Sequence, residues 1–365
     1  MDLSFSGEQD MLREMVRGVC SSYSPLVTVR AMEDDPTGYP GELWKQLGEL
    51  DLIGLMLPVE YGGSGMSILD ATVVYEEFGR SLAPSPHFVS AVMSGGALLR
   101  GGTEAQKATW LPKIASGEEL FTVAWLEPER GFGPNGVITE AIADGDDFRL
   151  DGVKWHVPFA GAATRFLVLA RAGDAVNLFL VDSTAPGIAL EQQRTIASDT
   201  QYQVRFDGTP AERVGTADWG TWHDTMLDGI ILQAALAAGG AAYALEITVQ
   251  YAKDREQFDK PLGAFQAISH YLADASTTVE GGALLVHEAA WARANDRPVD
   301  RLAPMAKLFN ATTFRDVTAM AQQVFGGVGF TLDYDIQLYF RRAKQLQISW
   351  WDDRYLEQLI ADATL

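Results

Sequence analysis

The feature that most constrains the fold is a double change in the spacing of apolar residues along the chain. Up to about residue 118, apolar residues recur every three or four positions, as in Leu12, Val16 and Val19, which is typical of amphipathic helices. From about Phe121 the spacing becomes two, in short runs rich in Val, Phe and Leu that indicate strands. Beyond about Ala217 the helical spacing returns and continues to the end.

These changes predict an α+β multidomain fold. We expect an N-terminal α-helical domain over residues 1–118, a middle β domain over 119–216 and a C-terminal helical bundle over 217–365. Ser6 and Thr103 are predicted helix N-caps. Turns between strands are expected at three Asp-Gly pairs, Asp144-Gly145, Asp151-Gly152 and Asp207-Gly208. The four bundle helices are predicted near 222–255, 264–295, 301–325 and 333–347, and a short terminal helix follows them.

The segment Ile230–Leu245 is apolar enough to suggest a membrane span. It contains Gln233, many alanines and a Gly-Gly pair, so we interpret it as a buried helix of the bundle. The next stretch, Tyr251–Gln266, concentrates charge between two long helical patterns. Arg255 is therefore expected at a helix end, from which a guanidinium can be presented to an anion.

Charge and cysteine content exclude several classes of function. The chain carries 49 acidic against 28 basic residues, a net charge of −21, which argues against nucleic acid or an anionic membrane as partner. Cys20 is the single cysteine, so neither an internal disulfide nor a Cys-based metal cluster is expected. The histidines show no metal-ligand spacing, so we expect no metal site. Acidic residues near the N-terminus argue against a signal peptide, and a cytoplasmic location is expected.

Three short motifs in the sequence, taken together, resemble those of a known family. They are Arg255-Glu256-Gln257-Phe258 with Pro261-Leu262 and Phe265-Gln266, then Gln322–Phe330 (QQVFGGVGF), and Leu57–Gly65 (LPVEYGGSG) with Tyr75-Glu76-Glu77. In this order and spacing they resemble the acyl-CoA dehydrogenase family over nearly the whole chain. The resemblance implies a helical domain, a β-barrel and a four-helix bundle. It also implies an FAD-dependent α,β-dehydrogenation of an acyl-CoA thioester.

In this tetrameric family the flavin lies across a subunit interface. The resemblance implies that Arg255 pairs with the pyrophosphate, that Gln257 and Phe258 flank it, and that Gln323 with Gly326 and Gly327 receives the adenine end. A guanidinium suits two phosphate oxygens, and glycines permit close backbone approach. The alternative is an exposed Arg in a solvated charge cluster and a Gly-Gly helix cap.

The half of the site that would cradle the flavin ring departs from the family pattern. The family's "T-E-P-x-A-G-S-D" loop corresponds here to Leu126–Gly133, in which Glu127-Pro128 is kept and the small polar residues are lost. In the register of the family's "W-I-T/S-N" segment stands His156-Val157-Pro158-Phe159. Pro158 has neither a hydroxyl nor an N–H to offer a flavin.

The catalytic glutamate of the family is also missing. One branch of the family places it near the C-terminus, where this chain has Trp350, and another places it early in the first bundle helix, where this chain has Gly229. We therefore expect no catalytic residue in this chain. Asp228 and Asp352 lie one and two residues away from these positions, and either could act as a displaced base. The adjacent Trp350-Trp351 pair is expected to fill the volume that acyl chain and flavin occupy in a catalytic subunit.

The sequence thus predicts a non-catalytic subunit, inactive alone, of an α2β2 acyl-CoA dehydrogenase. It would donate the pyrophosphate and adenine half of an FAD site to a catalytic paralogue. Such pairs resemble the actinobacterial heterotetrameric enzymes that act on CoA esters of sterol side chains, with an electron-transferring flavoprotein as acceptor. Two alternatives remain open: a self-sufficient homotetrameric dehydrogenase with a displaced base, and a flavin-free scaffold or binding protein of the same fold.

Overall fold

The structure is a computed structural model that describes residues 5–145 and 147–365. Helices occupy both ends of the chain. They are α1 (Gly7–Tyr23), α2 (Leu26–Ala31), α3 (Gly41–Glu49), α4 (Ile68–Ser81), a π-helix (Phe88–Gly95), α5 (Gly96–Gly101), α6 (Glu104–Ser116), α7 (Trp219–Asp254), α8 (Gln266–Ala294), α9 (Leu302–Phe325), α10 (Ile336–Ile348) and α11 (Asp353–Asp362).

The strands lie between these two helical regions, apart from one short hairpin. They are β1 (Phe121–Ala124), β2 (Glu140–Asp144), β3 (Asp147–Pro158), β4 (Arg165–Ala172), β5 (Ala175–Asp182), β6 (Ile188–Gln193) and β7 (Gln201–Asp218), with the hairpin β8 (Glu256–Gln257) and β9 (Lys260–Pro261) inside the C-terminal region. The predicted fold class is confirmed by this order of helices, strands and helices.

Contacts divide the chain into two compact units. The first contains the segments up to Val29, Ile68–Ala83 and Ile230–Leu365, and the second contains Arg30–Ser67 and Pro84–Gly229. The predicted domains were continuous stretches of the chain, whereas these units are grouped by contacts. The predicted boundaries near residues 118 and 216 therefore stay a prediction.

In the second unit, the strands close into a barrel. The sheet runs β1-β4-β2-β3-β7-β5, β5 also pairs with β4, and β6 extends the sheet beside β7. Side chains such as Phe166, Phe179 and Phe206 fill the barrel and are almost fully buried. The strands β4, β2, β3, β7 and β5 form the closed ring, whereas β1 and β6 each pair with a single neighbour.

Two of the three turns predicted at Asp-Gly pairs are wrong. Asp144 ends β2, and Gly145 has a φ of +68°, as a turn requires. Gly152, in contrast, lies inside β3, where the register with β7 shifts and a Cβ would stand 2.4 Å from the hydroxyl of Thr139. Gly208 lies inside β7. Within these long strands, glycine allows a neighbouring segment to approach closely or the strand to bend, and it does not reverse the chain.

The N-terminal helices begin as predicted. Ser6 accepts a hydrogen bond from the Gln9 amide at 3.2 Å, and the Gln9 side chain accepts one from the Ser6 amide at 3.0 Å. Thr103 and Gln106 form the same reciprocal pair at the start of α6. Each is a capping box that satisfies two backbone donors at a helix start.

In the first unit, α4 and α7 contact each other through backbone. A Cβ on Gly79 would lie 1.9 Å from the carbonyl oxygen of Leu236, and a Cβ on Gly239 would lie 1.9 Å from that of Glu76. Only glycine allows this approach. The contact explains Gly239, whereas a Cβ on the adjacent Gly240 would lie 2.5 Å from the ring of Phe314.

The long helix α7 is apolar enough to cross a membrane by length and composition alone. In its most apolar window, 61% of the residues are buried inside the protein. Core helices of soluble proteins have the same composition, which agrees with the interpretation as a bundle helix.

Candidate flavin-binding end and filled base positions

One end of the helical bundle brings together two of the recognised strings. The ring of Tyr251, in the last turn of α7, stacks on Phe325, the last residue of α9, with centroids 4.2 Å apart and planes 17° apart. The Tyr251 hydroxyl also donates to the carbonyl oxygen of Phe325 at 3.4 Å. Arg255 lies one helical turn beyond Tyr251, and Gly326 directly follows Phe325. Packing therefore fixes both segments at one place.

The Arg255 side chain is exposed, and two hydrogen bonds of its backbone hold the residue in place. Its N–H donates to the carbonyl oxygen of Tyr251 at 2.8 Å, and its own carbonyl accepts from Leu262 at 2.8 Å. Across the part of the chain that the structure describes, nothing bonds or pairs with its guanidinium. In a chain with a net charge of −21, an unpaired guanidinium on a fixed helix end is available to an external anion.

Gln257 and Phe258 lie on the β8–β9 hairpin that follows Arg255. Phe258 and Asp259 form its two-residue turn with φ values of 54° and 63°, a conformation that Gly or Asn usually adopts. The Phe258 side chain is 87% exposed, with its ring 6.2 Å from that of Phe265. A bulky aromatic side chain held exposed on a strained turn is suited to contact with a ligand or a second chain.

Gln323, Gly326 and Gly327 form the other side of this end. The Gln323 side chain is exposed, and it has no hydrogen-bond partner within residues 5–145 and 147–365. A Cβ built on either glycine meets no atom within 4 Å. We call Arg255, Phe258, Gln323, Gly326 and Gly327 the open end.

The open end fits a flavin dinucleotide by its donors and its shape. It combines a free guanidinium, a free side-chain amide and two backbone positions without a Cβ, which suit phosphate oxygens and a close-lying planar group. The structure therefore brings together the cofactor residues that the sequence predicted. Their role in binding stays a prediction.

The first family position for the base, Gly229, has no room for a side chain. A Cβ at Gly229 would lie 2.7 Å from the sulfur of Met93 and 3.2 Å from the ring of Phe88. Both residues belong to the π-helix, which is buried along its whole length. We call Gly229, Phe88 and Met93 the filled position. The π-helix could not be predicted, because its apolar run has no period that separates it from an α-helix.

Asp228, next to Gly229, is bound to another residue. Its side chain is 7% exposed and forms an ion pair with Arg100. Its carboxylate therefore already has a charged partner within the protein.

At the second family position, Trp350 and Trp351 both have positive φ values, 54° and 71°. Trp351 is fully buried, with its ring 5.3 Å from that of Tyr355. Asp352 is the N-cap of α11, where its carboxylate accepts from the Tyr355 amide at 3.0 Å. Both aspartates considered as displaced bases thus have structural partners.

The loop that starts at Leu126 is held by a buried ion pair. Glu127 accepts from Lys154 Nζ at 2.6 Å and from the backbone amides of Ile138 and Thr139 at 3.0 and 2.9 Å. Both charged side chains are almost fully buried, and burial lowers the pKa of Lys154 to about 8 even though the Glu127 carboxylate opposes this shift. Glu127 is therefore an anchor of this loop. The sequence singled out Glu127 but not Lys154, its partner on β3.

The segment at Pro158 is engaged within the barrel. The Pro158 carbonyl accepts from the Thr122 hydroxyl at 2.5 Å, and the ring of His156 lies 3.0 Å from the side-chain oxygen of Gln201. In the described ranges, no group of three or more His, Cys, Asp or Glu side chains could hold a metal ion.

Comparisons with known proteins identify three matching family models. They are the acyl-CoA dehydrogenase N-terminal domain over residues 6–118, the middle domain over 122–209 and the C-terminal domain over 221–363. The probable acyl-CoA dehydrogenase YngJ of Bacillus subtilis is 32% identical over 365 residues, which cover 95% of each chain.

Two of the similar solved structures have titles that name a pair of different proteins. The Tcur3481-Tcur3483 steroid ACAD G363A variant is 32% identical with a TM-score of 0.88, and 97% of each chain is covered. The ChsE4-ChsE5 complex from Mycobacterium tuberculosis is 28% identical with a TM-score of 0.92, and all of each chain is covered.

Proposed function

This chain belongs to the acyl-CoA dehydrogenase family, and we propose that it is the non-catalytic subunit of a heteromeric, FAD-dependent member. The chain would contribute the open end to a flavin seated in a catalytic paralogue. The observation that carries this proposal is the contrast between the open end, whose polar groups are free, and the filled position, which has no space for a base.

The open end supports a role in holding a flavin dinucleotide that is completed by a second chain. When bound, FAD supplies the hydride acceptor for dehydrogenation of an acyl-CoA thioester. The part of this chain would be electrostatic, with Arg255 at the pyrophosphate and Gln323, Gly326 and Gly327 at the adenine end. Phe258 and Gln257 would flank the phosphates.

The packing at the filled position supports the proposal that this chain carries no catalytic base. A glutamate at residue 229 would require Met93 and Phe88 to move, and at residue 350 the side chain present is an indole. Neither indole nor a missing side chain can abstract the α proton of a thioester. This favours a catalytic glutamate on another chain.

The self-sufficient alternative has less support, because Asp228 is paired with Arg100 and Asp352 caps α11. The flavin-free scaffold alternative leaves Arg255 and Gln323 without a reason for their free polar groups. Neither alternative has an observation of its own in its favour.

For the substrate we propose a bulky acyl-CoA, with a sterol side-chain ester as the leading case. Support comes from the similar structure titled as a steroid ACAD. We propose an α2β2 assembly in the cytoplasm with an electron-transferring flavoprotein as acceptor; a flavoprotein of that title, from Acidaminococcus fermentans, is among the similar structures.

The test is a visible spectrum of the purified chain, first alone and then co-purified with a co-expressed catalytic paralogue. We expect a colourless lone chain and a yellow complex that holds one flavin for each pair of different chains. A yellow lone chain that an acyl-CoA bleaches would overturn the proposal in favour of the self-sufficient enzyme. A complex that forms without flavin would overturn it in favour of the scaffold.

A further inference from the structure

A cavity of about 360 Å³ lies within the first unit, away from the residues of the open end. It is bounded by the end of α1, the start of α2, the end of α4, the middle of α7 and α10. Its lining combines aromatic, small apolar and hydroxyl-bearing side chains with the Arg17–Glu77 ion pair and Arg80; it also includes Cys20, Ser21, Ser24, Tyr243 and Tyr339. Sites of about 300–1,000 Å³ accommodate drug-sized ligands.

The cavity follows from how α4 and α7 cross. The helices touch at Gly79 and Gly239, where no side chain separates them. One turn further along α7 stands Tyr243, and Arg80 follows Gly79 on α4, so two large side chains separate the helices. The Arg80 guanidinium lies over the Tyr243 ring at 4.5 Å. The cavity opens directly beside this separation.

Both arginines that line the cavity have carboxylate partners within the protein. Arg17 bonds both carboxylate oxygens of Glu77, at 2.9 and 2.7 Å. Arg80 bonds both oxygens of Glu246, at 2.8 and 2.7 Å. Both arginines of the lining are thus already paired, although Glu246 itself lies outside the lining and its side chain is 57% exposed. A carboxylate entering here would have to compete with these partners for a counter-charge.

The lining of the cavity also contains uncharged polar side chains. Ser24 is 1% exposed, and its hydroxyl has no hydrogen-bond partner within the described ranges. A buried hydroxyl is stable only when it is bonded, which leaves Ser24 suited to a polar group on a ligand. Beside it, burial raises the pKa of the Cys20 thiol to about 11, so this side chain is neutral too.

We propose that this cavity binds an uncharged ligand that has a flat ring body and one amide or hydroxyl group. The ring would lie against Pro25, Leu26 and Tyr339, and the polar group would bond the Ser24 hydroxyl. Because both arginines are already bonded to glutamates, a carboxylate of the same shape is disfavoured. The site would be separate from flavin binding and does not depend on the proposed function.

The test compares two probes of equal shape, 2-naphthamide and 2-naphthoate, in titrations of the full chain followed by probe fluorescence. We expect saturable binding of the amide and binding of the carboxylate at least about tenfold weaker, because a buried unpaired charge is costly. Equal or tighter binding of the carboxylate would contradict the proposal, and so would an amide signal that does not saturate.

Three variants locate the binding. Ser21 lines the mouth of the cavity and is exposed, so Ser21→Trp should block entry and abolish amide binding without unfolding the chain. Ser22→Trp, also exposed but outside the lining, is the matched control and should bind as the wild type does. Ser24→Ala should weaken binding about fivefold through loss of one hydrogen bond. If Ser21→Trp and Ser22→Trp bind alike, the amide binds elsewhere and the proposal is wrong.

Discussion

The open end and the filled position differ in how packing treats the space that a ligand or a catalytic side chain would occupy. At the open end, helices pack tightly beneath groups that are left free, so Tyr251 and Phe325 are stacked while Arg255 and Gln323 have no partner in the described chain. At the filled position, packing extends into the space where a side chain would be needed. Packing that leaves polar groups free prepares a surface for a ligand, whereas packing that fills the space excludes one.

The largest expected effect concerns the buried ion pair that holds the loop from Leu126. Lys154→Met should lower the free energy of unfolding by about 3–5 kcal/mol, because the Glu127 carboxylate would stay buried without its cation. Urea unfolding measures this change. The double variant Glu127→Gln/Lys154→Met should be more stable than the single Lys154→Met variant. A single variant as stable as the wild type would show that the pair does not anchor the loop.

The second prediction concerns His87, which directly precedes the π-helix of the filled position. Its ring lies 3.0 Å from the carbonyl oxygen of Leu52, and burial lowers its pKa from 6.5 to about 4, although that hydrogen bond acts in the opposite direction. Between these two pH values the unfolded chain binds more protons than the folded chain, so stability falls as the pH is lowered from 6.5 to 4.

The contribution of His87 to this loss should be about 3 kcal/mol. Unfolding by urea at several pH values measures it. His87→Gln keeps a donor toward Leu52 and cannot titrate, so its stability should change less over the same range. If both proteins lose stability equally, other groups cause the acid sensitivity.

The third prediction concerns the cofactor. Arg255→Ala in the complex with the catalytic paralogue should weaken flavin binding about ten- to a hundredfold, through loss of a charge-assisted contact with phosphate. Stability of the lone chain should not change, because its guanidinium has no partner in the described chain. Arg301→Ala, an exposed arginine next to the opposite end of α9, is the control and should leave the flavin content unchanged.

The order of helices, strands and helices could be predicted because it depends on the period of apolar residues, which is local information. The N-caps Ser6 and Thr103 were predictable for the same reason. Gly152 and Gly208 were misassigned to turns because glycine permits both a reversal and a bend inside a strand. The partner of Glu127 and the neighbours of Gly229 depend on contacts between distant segments, which no local pattern records.

The fourth and fifth predictions form a matched pair, since the same change is made in both regions. Gly229→Ala adds a methyl group 2.7 Å from the sulfur of Met93. It should lower the free energy of unfolding by about 1–3 kcal/mol, the usual effect of overpacking. Thermal or urea unfolding measures the loss, and Gly229→Ala should cost less in a Met93→Ala background than in the wild type. An unchanged stability would mean that the π-helix yields easily and that the position is not closed.

Gly327→Ala is the smallest change, and it distinguishes the two regions most directly. A Cβ at Gly327 meets no atom within 4 Å, and its φ is not in the left-handed region, so stability should stay within about 0.5 kcal/mol of the wild type. In the complex with the paralogue, however, the methyl group would stand where the adenine end is proposed to approach, and flavin content should fall. A loss of flavin without a loss of stability is what a surface prepared for a ligand requires. If Gly327→Ala retained full flavin content, Gly327 would have no part in flavin binding, and the open end would be reduced to Arg255 and its hairpin.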